Sequence, residues 1–447
     1  MNNVKLIERI ISQKQSSELL SVDLFDTLLA RPIAQPNDIF KILAIRTGEF
    51  QLYAKRAQAE QKLIKQFNRS AKIHEIYEEL CSEVELRDKL IEAEVNLELE
   101  ILKPRQSALE WLHHVQKPSK ISVLSDTIFS SEILRLFLKS KLGLKGVCIY
   151  SSADQLCRKT DGKLFEVFLS EKQAESSSVL HVGDNQNSDV EQANKLGIEA
   201  IHIPSSLQNY KRHRQHTKLF SKFSKKLTSA ESVAIGVIKN TWHDTPRKSA
   251  YDGNIKCFGY SAYGPLLLAT CVWIVRLCKQ KNLQTIHCLA RDEYLVDLYI
   301  REIAKKFGLD IEPKYLLASR RVSRLLGIKS EENLLSVLGK LKGTADEKLK
   351  KLLPYFPEVS PDLSDEDMMH RYANELMAIV RFQQKVYFDE LKKSGLNKNS
   401  ILFDIGYQGT TQKALSDFIG DPLTGAYVIT FPELKDIVPN WQSTTHA

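Results

Sequence analysis

Short apolar runs that alternate with helical stretches constrain the fold of this chain more than any other feature of its sequence. In the first two hundred or so residues, five such runs have the length and composition of strands, and helical periodicity fills the gaps between them. Because parallel strands need long crossover connections, this alternation predicts a parallel α/β sheet. The predicted strands are residues 19–25, 121–126, 147–152, 178–184 and 199–204.

One long segment interrupts this alternation directly after the first predicted strand. Residues 37–104 contain no strand-like run and are rich in Glu, Lys, Leu and Ala, as in YAKRAQAEQKLIKQF. We therefore expect an all-helical insertion at about 37–104, inside an N-terminal α/β domain that extends over 1–208.

A second α/β region begins near Tyr260, and we predict a C-terminal α/β domain over 251–447. Helices are predicted at 262–279 and 293–308, and residues 331–398 are largely helical and charged. The final residues, VPNWQSTTHA, give the last predicted strand little to pack against, so we expect the sequence to stop short of the complete protein. The strands predicted in this domain are residues 285–290, 314–319, 400–406 and 425–430, the last being the final strand.

Composition favours an ordinary globular protein of the cytoplasm. Of 447 residues, 43% are hydrophobic and 26% are charged. The most apolar run, 263–278, is too short to span a bilayer, and the N-terminal MNNVKLIERIISQKQ lacks the apolar centre of a signal peptide. Seven cysteines without a CxxC pair indicate reduced thiols.

The net charge of +8 is unevenly distributed, and residues 209–250 are predicted to be a basic helical linker. Within it, residues 209–227 carry seven Lys or Arg and no acid. A solvated linker helix is the simpler interpretation, and a surface for anionic lipid or a phosphorylated glycan carrier is the alternative. Aromatic interleaving and known RNA motifs are absent from the sequence, so we expect no nucleic-acid partner. Peripheral contact with the inner-membrane surface stays open.

Polar residues follow the N-terminal strands at the points where these strands end. Asp23 ends the first strand, Ser125 ends the second, and Lys159 lies after the third. The fourth is followed by GDNQNSD, which contains Asp184 and Asp189. Because the carboxyl ends of parallel strands meet at one edge, where ligands bind, we expect these side chains to converge.

This set suits the chemistry of a phosphate ester. Asp23 could attack phosphorus, and with Asp184 or Asp189 it could hold Mg²⁺ through oxygen ligands. Ser125 and Lys159 could bind the phosphoryl oxygens. Each residue also has an ordinary interpretation as a turn residue, a helix cap or an exposed lysine. The order of the motifs resembles the haloacid dehalogenase (HAD) superfamily over about residues 1–205, and the helical insertion takes the place of that superfamily's cap.

One position departs from that resemblance. In the superfamily's phosphatases the second residue after the nucleophile is an Asp that protonates the leaving oxygen, and here it is Phe25. An aromatic residue there is similar to the dehalogenase branch, which needs no metal, whereas the GD….D motif indicates one. We predict a Mg²⁺-dependent phosphatase with Asp26 as substitute acid, the alternative being a cap or turn carboxylate; loss of the acid would cost ~10²–10⁴ in rate. The predicted metal site consists of Asp23, Phe25, Asp184 and Asp189.

A second set of motifs follows the C-terminal strands, and FDIGYQGTT (403–411) is the most informative of them. Its form is a strand, a Gly-bearing loop and a helix start, whose amides could cradle phosphate, although the P-loop pattern GxxxxGK[ST] is absent. In ARDEYL (290–295) and ASRRVSR (318–324), arginines suit phosphate, and Asp292 or Asp404 could hold Mg²⁺ or act as base. Structural ion pairs and helix caps are the alternative. The predicted phosphate-binding residues are Arg291, Ser319, Arg320, Arg321, Gly406, Gln408, Gly409 and Thr410.

Together the two regions resemble the dual-domain ribofuranosyltransferases of bacterial surface-polysaccharide (O-antigen or capsule) assembly, over most of the chain. That resemblance implies a C-terminal domain that transfers phosphoribosyl from phosphoribosyl pyrophosphate (PRPP) to a lipid-linked glycan acceptor. The N-terminal domain would then remove the 5′-phosphate, with Mg²⁺ as cofactor. The usual phosphoribosyltransferase loop, two acids followed by a Thr-rich turn, is not evident here.

Two other functions fit the sequence. The first is a sugar-phosphate phosphatase whose C-terminal domain binds substrate or partner without catalysis. The second is a scaffold of a polysaccharide assembly complex with a degenerate phosphatase fold. Phe25 supports the scaffold, and the intact set of polar strand-end residues speaks against it.

Overall fold

A computed structural model describes residues 19–112, 121–223, 226–290, 293–406, 408–438 and 441–443. The chain forms two compact units, Met1–Ala262 and Tyr263–Ala447. Each unit contains a five-stranded sheet in which every pair of neighbouring strands is parallel. The predicted fold class, α/β with two parallel sheets and a helical insertion in the first, is confirmed.

The first sheet has the strand order β5-β4-β1-β6-β7. Every residue of β4 and β6 is buried, which explains why these strands read as nearly continuous apolar runs. The strands of this unit are β1 Leu19–Val22, β2 Leu29–Ala30, β3 Lys103–Pro104, β4 Ile121–Ser125, β5 Cys148–Ser151, β6 Val179–Gly183 and β7 Glu199–His202.

The helical insertion is closed at its base by the antiparallel pair β2 and β3, which join the two ends of the segment. The helices α1 to α4 lie between these two strands. The α-helices of the first unit are α1 Ile39–Thr47, α2 Phe50–Phe67, α3 Ile73–Leu80, α4 Val84–Ile101, α5 Gln106–Leu112, α6 Ser131–Leu142, α7 Ser152–Gln155, α8 Lys163–Lys172, α9 Gln192–Lys195, α10 Ser206–Lys211, α11 Arg214–Phe223, α12 Ser229–Trp242 and α13 Ile255–Phe258.

The basic segment predicted as a linker forms α10, α11 and α12 within the first unit. Tyr210, Phe220 and Ile238 form a buried apolar cluster with Ala34, which follows β2. Thr228 begins α12 with a capping box, in which its hydroxyl accepts from the Glu231 backbone N–H and the Glu231 side chain accepts in return. Helix α12 therefore packs against the segment between β2 and the insertion helices.

The second sheet has the strand order β12-β11-β10-β8-β9. Its strands are β8 Thr285–Leu289, β9 Glu312–Leu316, β10 Ser400–Asp404, β11 Thr424–Tyr427 and β12 Trp441–Ser443. The α-helices of this unit are α14 Gly264–Lys281, α15 Tyr294–Phe307, α16 Arg320–Leu326, α17 Glu331–Gly339, α18 Ala345–Leu352, α19 Asp365–Ser394, α20 Thr410–Ile419 and α21 Leu434–Ile437.

Both further strands predicted in this unit are present, but the bounds of one and the place of the other as the last strand were wrong. The strand predicted at 314–319 is β9 and ends at Leu316, because Ser319 instead caps α16. The strand predicted as final, β11, is followed by β12, which pairs with it in parallel. A three-residue edge strand is too short to show an alternating pattern in the sequence.

The predicted apolar run 263–278 is part of a longer described helical stretch, Ile255–Lys281, which is long and apolar enough to cross a membrane, with a mean hydropathy of 1.5 over its most apolar window. Of that window, 39% is buried inside the structure. Core helices of globular proteins share this length and composition, so the stretch is a weak indication of a membrane span.

Gly236 allows α12 to approach the backbone that follows β2. A Cβ at this position would lie 2.0 Å from the backbone N of Ile33 and 2.1 Å from the carbonyl carbon of Pro32. Gly→Ala in a helix normally stabilises by about 1 kcal/mol, but here overpacking of about 1–3 kcal/mol opposes it. We expect Gly236→Ala to lower the melting temperature, measured by calorimetry. Gly259→Ala, where a Cβ meets nothing within 4 Å, is the control, and equal effects would contradict the prediction.

Candidate active site

The carboxyl ends of β1, β4 and β6 bring three predicted side chains to one edge of the first sheet. β1 lies between β4 and β6; Asp23 directly follows β1, Ser125 ends β4, and Asp184 directly follows β6. The Asp23 backbone N–H donates to the Val182 carbonyl at 2.9 Å, which extends the pairing of β1 with β6 by one residue. The position of Asp23 is therefore fixed by the sheet itself.

Lys159 is buried among these carboxylates, with 2% of its surface exposed, so its interpretation as an exposed lysine does not hold. Its Nζ donates to Asp23 Oδ1 at 2.5 Å and to Asp189 Oδ1 at 2.6 Å. Its backbone N–H donates to Asp126 Oδ1 at 2.8 Å, which holds the short 3-10 turn Lys159–Asp161 against the end of β4. The two charge-assisted bonds of Nζ hold the ammonium between Asp23 and Asp189.

Three carboxylates in this cluster fit a divalent cation. Asp23, Asp184 and Asp189 each place one oxygen within 4.8 Å of the others. Hard oxygen ligands of this kind suit Mg²⁺. Gly183 makes the approach possible, because a Cβ there would lie 2.3 Å from the Asp189 carboxylate. These three residues would hold the ion.

Burial and the neighbouring charges together explain the pKa shifts of these three carboxyl groups. Burial raises the pKa of Asp23 to about 7, with the charge of Asp189 adding to it and Lys159 opposing it. Burial also raises the pKa of Asp184 to about 8, and the charges of Asp23 and Asp26 add to the effect. Burial acts in the same direction on Asp189, but the Lys159 ammonium and His181 outweigh it and lower the pKa of Asp189. A bound cation would relieve the repulsion between the carboxylates.

The contacts that hold the Asp189 carboxylate in place were not predicted from the sequence. His181 Nε2 lies 3.6 Å from Asp189 Oδ1, and His181 Nδ1 lies 2.8 Å from the hydroxyl oxygen of Ser21. Ser21 and His181 are register partners in the β1–β6 pair. The Asn185 backbone N–H donates to the other oxygen of Asp189 at 2.9 Å. Two polar residues inside otherwise apolar strands were the available signal for this pair.

Phe25 and Asp26 lie in the turn after Asp23. The Phe25 ring contacts the Arg31 guanidinium at 4.5 Å. A phenyl ring offers no oxygen ligand to Mg²⁺, so in the predicted metal set Phe25 could contribute only its backbone carbonyl. Asp26 has a φ of 59°, and its N–H donates to the Leu29 carbonyl at 2.7 Å. Arg105 Nη1 donates to the Asp26 carbonyl at 2.5 Å. The turn is thus held from both sides.

The Ser125 hydroxyl is buried and has no hydrogen-bond partner among the described residues. Buried polar groups are normally paired. Ser125 ends β4, next to the strand that leads into Asp23. An unpaired hydroxyl at this edge fits a group that binds an oxygen of a ligand.

The second unit brings its predicted motifs to neighbouring strand ends, because β10, β8 and β9 are adjacent in the sheet. Arg291 and Asp292 lie outside the described residues. Asp404 ends β10, and its Oδ1 accepts from the Gly406 backbone N–H at 2.9 Å. Glu293, which was not predicted, is 3% exposed and accepts from the Ile405 N–H at 3.0 Å. Glu293 therefore links the ends of β8 and β10.

The other motif residues divide between this edge and structural contacts. Ser319 accepts from the Val322 N–H at 3.3 Å and is a helix cap, while Ser323 Oγ donates to Thr411 Oγ1 at 3.1 Å and links two motifs. Arg321 Nη1 lies 3.4 Å from the Leu352 carbonyl, so its guanidinium is directed to α18. The exposed residues of the set are Ser319, Arg320, Gln408 and Thr410.

Gly409 requires glycine in the loop before α20. Its φ is 70°, and a Cβ there would lie 2.5 Å from Leu434 Cδ1. A Cβ at Gly406 would meet nothing within 4 Å. Its positive φ and close packing thus explain the glycine at position 409, whereas the structure leaves room for a side chain at position 406.

No family model and no curated protein matches this sequence. Solved structures are similar to the N-terminal part of the chain. A HAD-hydrolase from Bacillus subtilis bound to magnesium shares 14% identity over 42% of this chain and 88% of that chain, with a TM-score of 0.32. A HAD phosphatase from Thermococcus onnurineus shares 17% over 42% and 86%, with a TM-score of 0.28. A 2-haloacid dehalogenase from Pseudomonas syringae pv. tomato shares 18% over 41% and 85%, with a TM-score of 0.30.

By name, these neighbours are a HAD-hydrolase, a 2-haloacid dehalogenase and a HAD phosphatase. The resemblance of the whole chain to dual-domain ribofuranosyltransferases stays a prediction.

The raised pKa of Asp184 predicts a pH-dependent stability. Without metal, the folded state holds this proton more tightly than the unfolded state, so stability is lost as pH rises from the ordinary value of 3.8 to about 8. Asp184→Asn removes this loss. We expect the metal-free variant to exceed wild type in melting temperature at pH 8, and the difference to shrink toward pH 5.

The same variant should gain less melting temperature from Mg²⁺ than wild type does, because it lacks one anionic ligand. Asp88→Asn, which makes the same change at an exposed position of α4, is the control. Identical pH profiles for Asp184→Asn and wild type would contradict the prediction.

Proposed function

We propose that the first unit is a Mg²⁺-dependent phosphatase for phosphate monoesters. The observation that supports it most strongly is the contact of Lys159 Nζ with Asp23 and Asp189, beside Asp184. An oxygen of Asp23 attacks phosphorus, the bond to the leaving oxygen breaks, and water then hydrolyses the aspartyl phosphate. Lys159 and Ser125 bind phosphoryl oxygens, and Mg²⁺ on the three aspartates would supply charge neutralisation. Asp26 is the predicted proton donor to the leaving oxygen.

The second unit, in this proposal, is a phosphoribosyltransferase that prepares the substrate of the first. It transfers phosphoribosyl from PRPP to a lipid-linked glycan acceptor of bacterial surface-polysaccharide synthesis. Displacing pyrophosphate from the anomeric carbon builds positive charge on the sugar and releases a polyanion, which arginines and loop amides would stabilise. The adjacency of the β8, β9 and β10 ends supports this assignment. Asp404 or Asp292 would take the proton of the acceptor hydroxyl.

A shared substrate gives the two sites a common purpose. The transfer product carries a 5′-phosphate monoester, which is the bond that the first site would hydrolyse. The alternative is a sugar-phosphate phosphatase whose second unit only binds. The Arg321 guanidinium, directed to α18, favours this alternative, because it leaves one predicted phosphate ligand engaged elsewhere.

Asp23→Asn should abolish phosphate release from p-nitrophenyl phosphate and ribose 5-phosphate, with a loss of roughly 10³-fold or more in kcat, because the amide is not a nucleophile. Chelation with EDTA should have a similar effect that Mg²⁺ reverses. Asp88→Asn is the matched control and should retain activity. Full activity of Asp23→Asn would exclude this residue as nucleophile.

The Asp23→Asn variant also tests the transferase, because a phosphorylated product would survive in it. With Mg²⁺, PRPP and a panel of oligosaccharide acceptors, we expect mass spectrometry to find a phosphoribosyl adduct in this variant and a ribosyl adduct in wild type. Adding Asp404→Asn should remove the adduct, whereas adding Asp417→Asn at an exposed position of α20 should not. No adduct on any acceptor, alongside active phosphatase, would favour the alternative.

A further inference from the structure

Helix α12 carries a buried lysine that belongs to neither sheet. Lys239 is 3% exposed. Within the described parts of the chain, its ammonium makes no hydrogen bond or ion pair. A buried charge without a partner is costly, and an unpaired buried polar group calls for an explanation such as a catalytic role or a bound ion.

The part of α12 around Lys239 packs against the segment that follows β2. Gly236, one turn earlier, faces the backbone of Ile33, where a Cβ would lie 2.0 Å from the nitrogen. Asn240 Nδ2 donates to the Arg31 carbonyl at 3.0 Å. Lys239 lies between these two contacts in sequence, so its position relative to the β1–β2 turn is well determined.

Asp244, just after the end of α12, is linked through Arg105 to the backbone of Asp26. The Asp244 carboxylate accepts from Arg105 Nε at 2.6 Å, and Arg105 Nη1 donates to the Asp26 carbonyl at 2.5 Å. Arg105 also donates to the Asp244 carbonyl at 2.8 Å. These contacts bring the end of α12 to the turn that carries Asp26.

Two carboxylates lie near enough to Lys239 to act on its charge. Burial lowers the pKa of Lys239, the charge of Asp26 gives the strongest opposing effect, and Asp184 adds to it. Arg31 and Arg105 are the cations nearby, but Arg31 pairs with Glu98 at 2.8 Å and Arg105 pairs with Asp244. Of these three cations, Lys239 is the one without an acceptor among the described residues.

We propose that Lys239 contacts the leaving oxygen of the phosphate ester and stabilises the negative charge that develops there. The inference rests on the proposed phosphatase, and it deepens that proposal. As Asp23 attacks, the bond from phosphorus to the leaving oxygen breaks, the electron pair stays on that oxygen beside the Lys239 ammonium, and Asp26 then supplies its proton. Phe25 provides no acid at the usual position, so a cation on this side is needed most for alkyl and sugar phosphates, whose alkoxides leave poorly.

Leaving-group dependence tests this inference in the full chain with Mg²⁺. We expect Lys239→Met to lower kcat on ribose 5-phosphate by ~10²-fold or more, which is the loss typical of removing one such stabilising group. On p-nitrophenyl phosphate, whose phenolate needs little stabilisation, we expect a loss below about 5-fold. Lys239→Arg keeps the charge and should restore part of the ribose 5-phosphate activity. Lys239→Gln carries the same test if the Met variant does not fold.

The matched control is Ser232→Ala, which removes contacts that hold α12 in place and leaves the Lys239 side chain unchanged. The Ser232 hydroxyl donates to Asp38 Oδ2 at 2.7 Å and accepts from the Ala34 N–H at 3.0 Å. Ser232→Ala should lower the melting temperature and affect both esters equally. Equal losses on both esters for folded Lys239→Met, or no loss on either, would overturn the inference and leave the phosphatase standing. If wild type hydrolyses neither ester, the proposed function itself fails.

Discussion

The salt bridges of Lys159 with Asp23 and Asp189 are the interaction on which the first unit depends. Three strand ends converge there, and three carboxylates without a cation would repel one another in a buried site. The lysine makes this arrangement tolerable before any metal binds. Removing one partner of such a buried pair costs about 3–5 kcal/mol, so the contact matters for stability as well as for the proposed chemistry.

Both units use one architectural property. In a parallel sheet, the carboxyl ends of adjacent strands lie side by side, so residues distant in sequence meet without long excursions of the chain. The first unit fills this edge with acids and a lysine, and the second with Asp404, Glu293 and glycine-bearing loops. Helix α12 packs against the segment that follows β2 and carries the buried Lys239.

The parts of the structure that local patterns encode were predicted from the sequence. Strand ends are visible as apolar runs, so Asp23, Ser125 and Asp184 could be assigned to one edge. The burial of Lys159 and the Ser21–His181 contact could not, because they depend on register between residues up to 160 apart. The docking of α12 depends on backbone contact at a glycine, and no periodicity in the sequence reports such contact.

The position of β1 has a consequence for synthesis of the protein. β1 is made before every other strand of its sheet, and its neighbours follow much later in the chain, β4 at Ile121–Ser125 and β6 at Val179–Gly183. At roughly 5–20 residues per second on the ribosome, this central apolar strand waits on the order of ten seconds or more before both edges can pair. During that interval the helical insertion, whose contacts are local, is the part able to fold. The nascent chain therefore needs shielding of β1 from aggregation until β6 emerges.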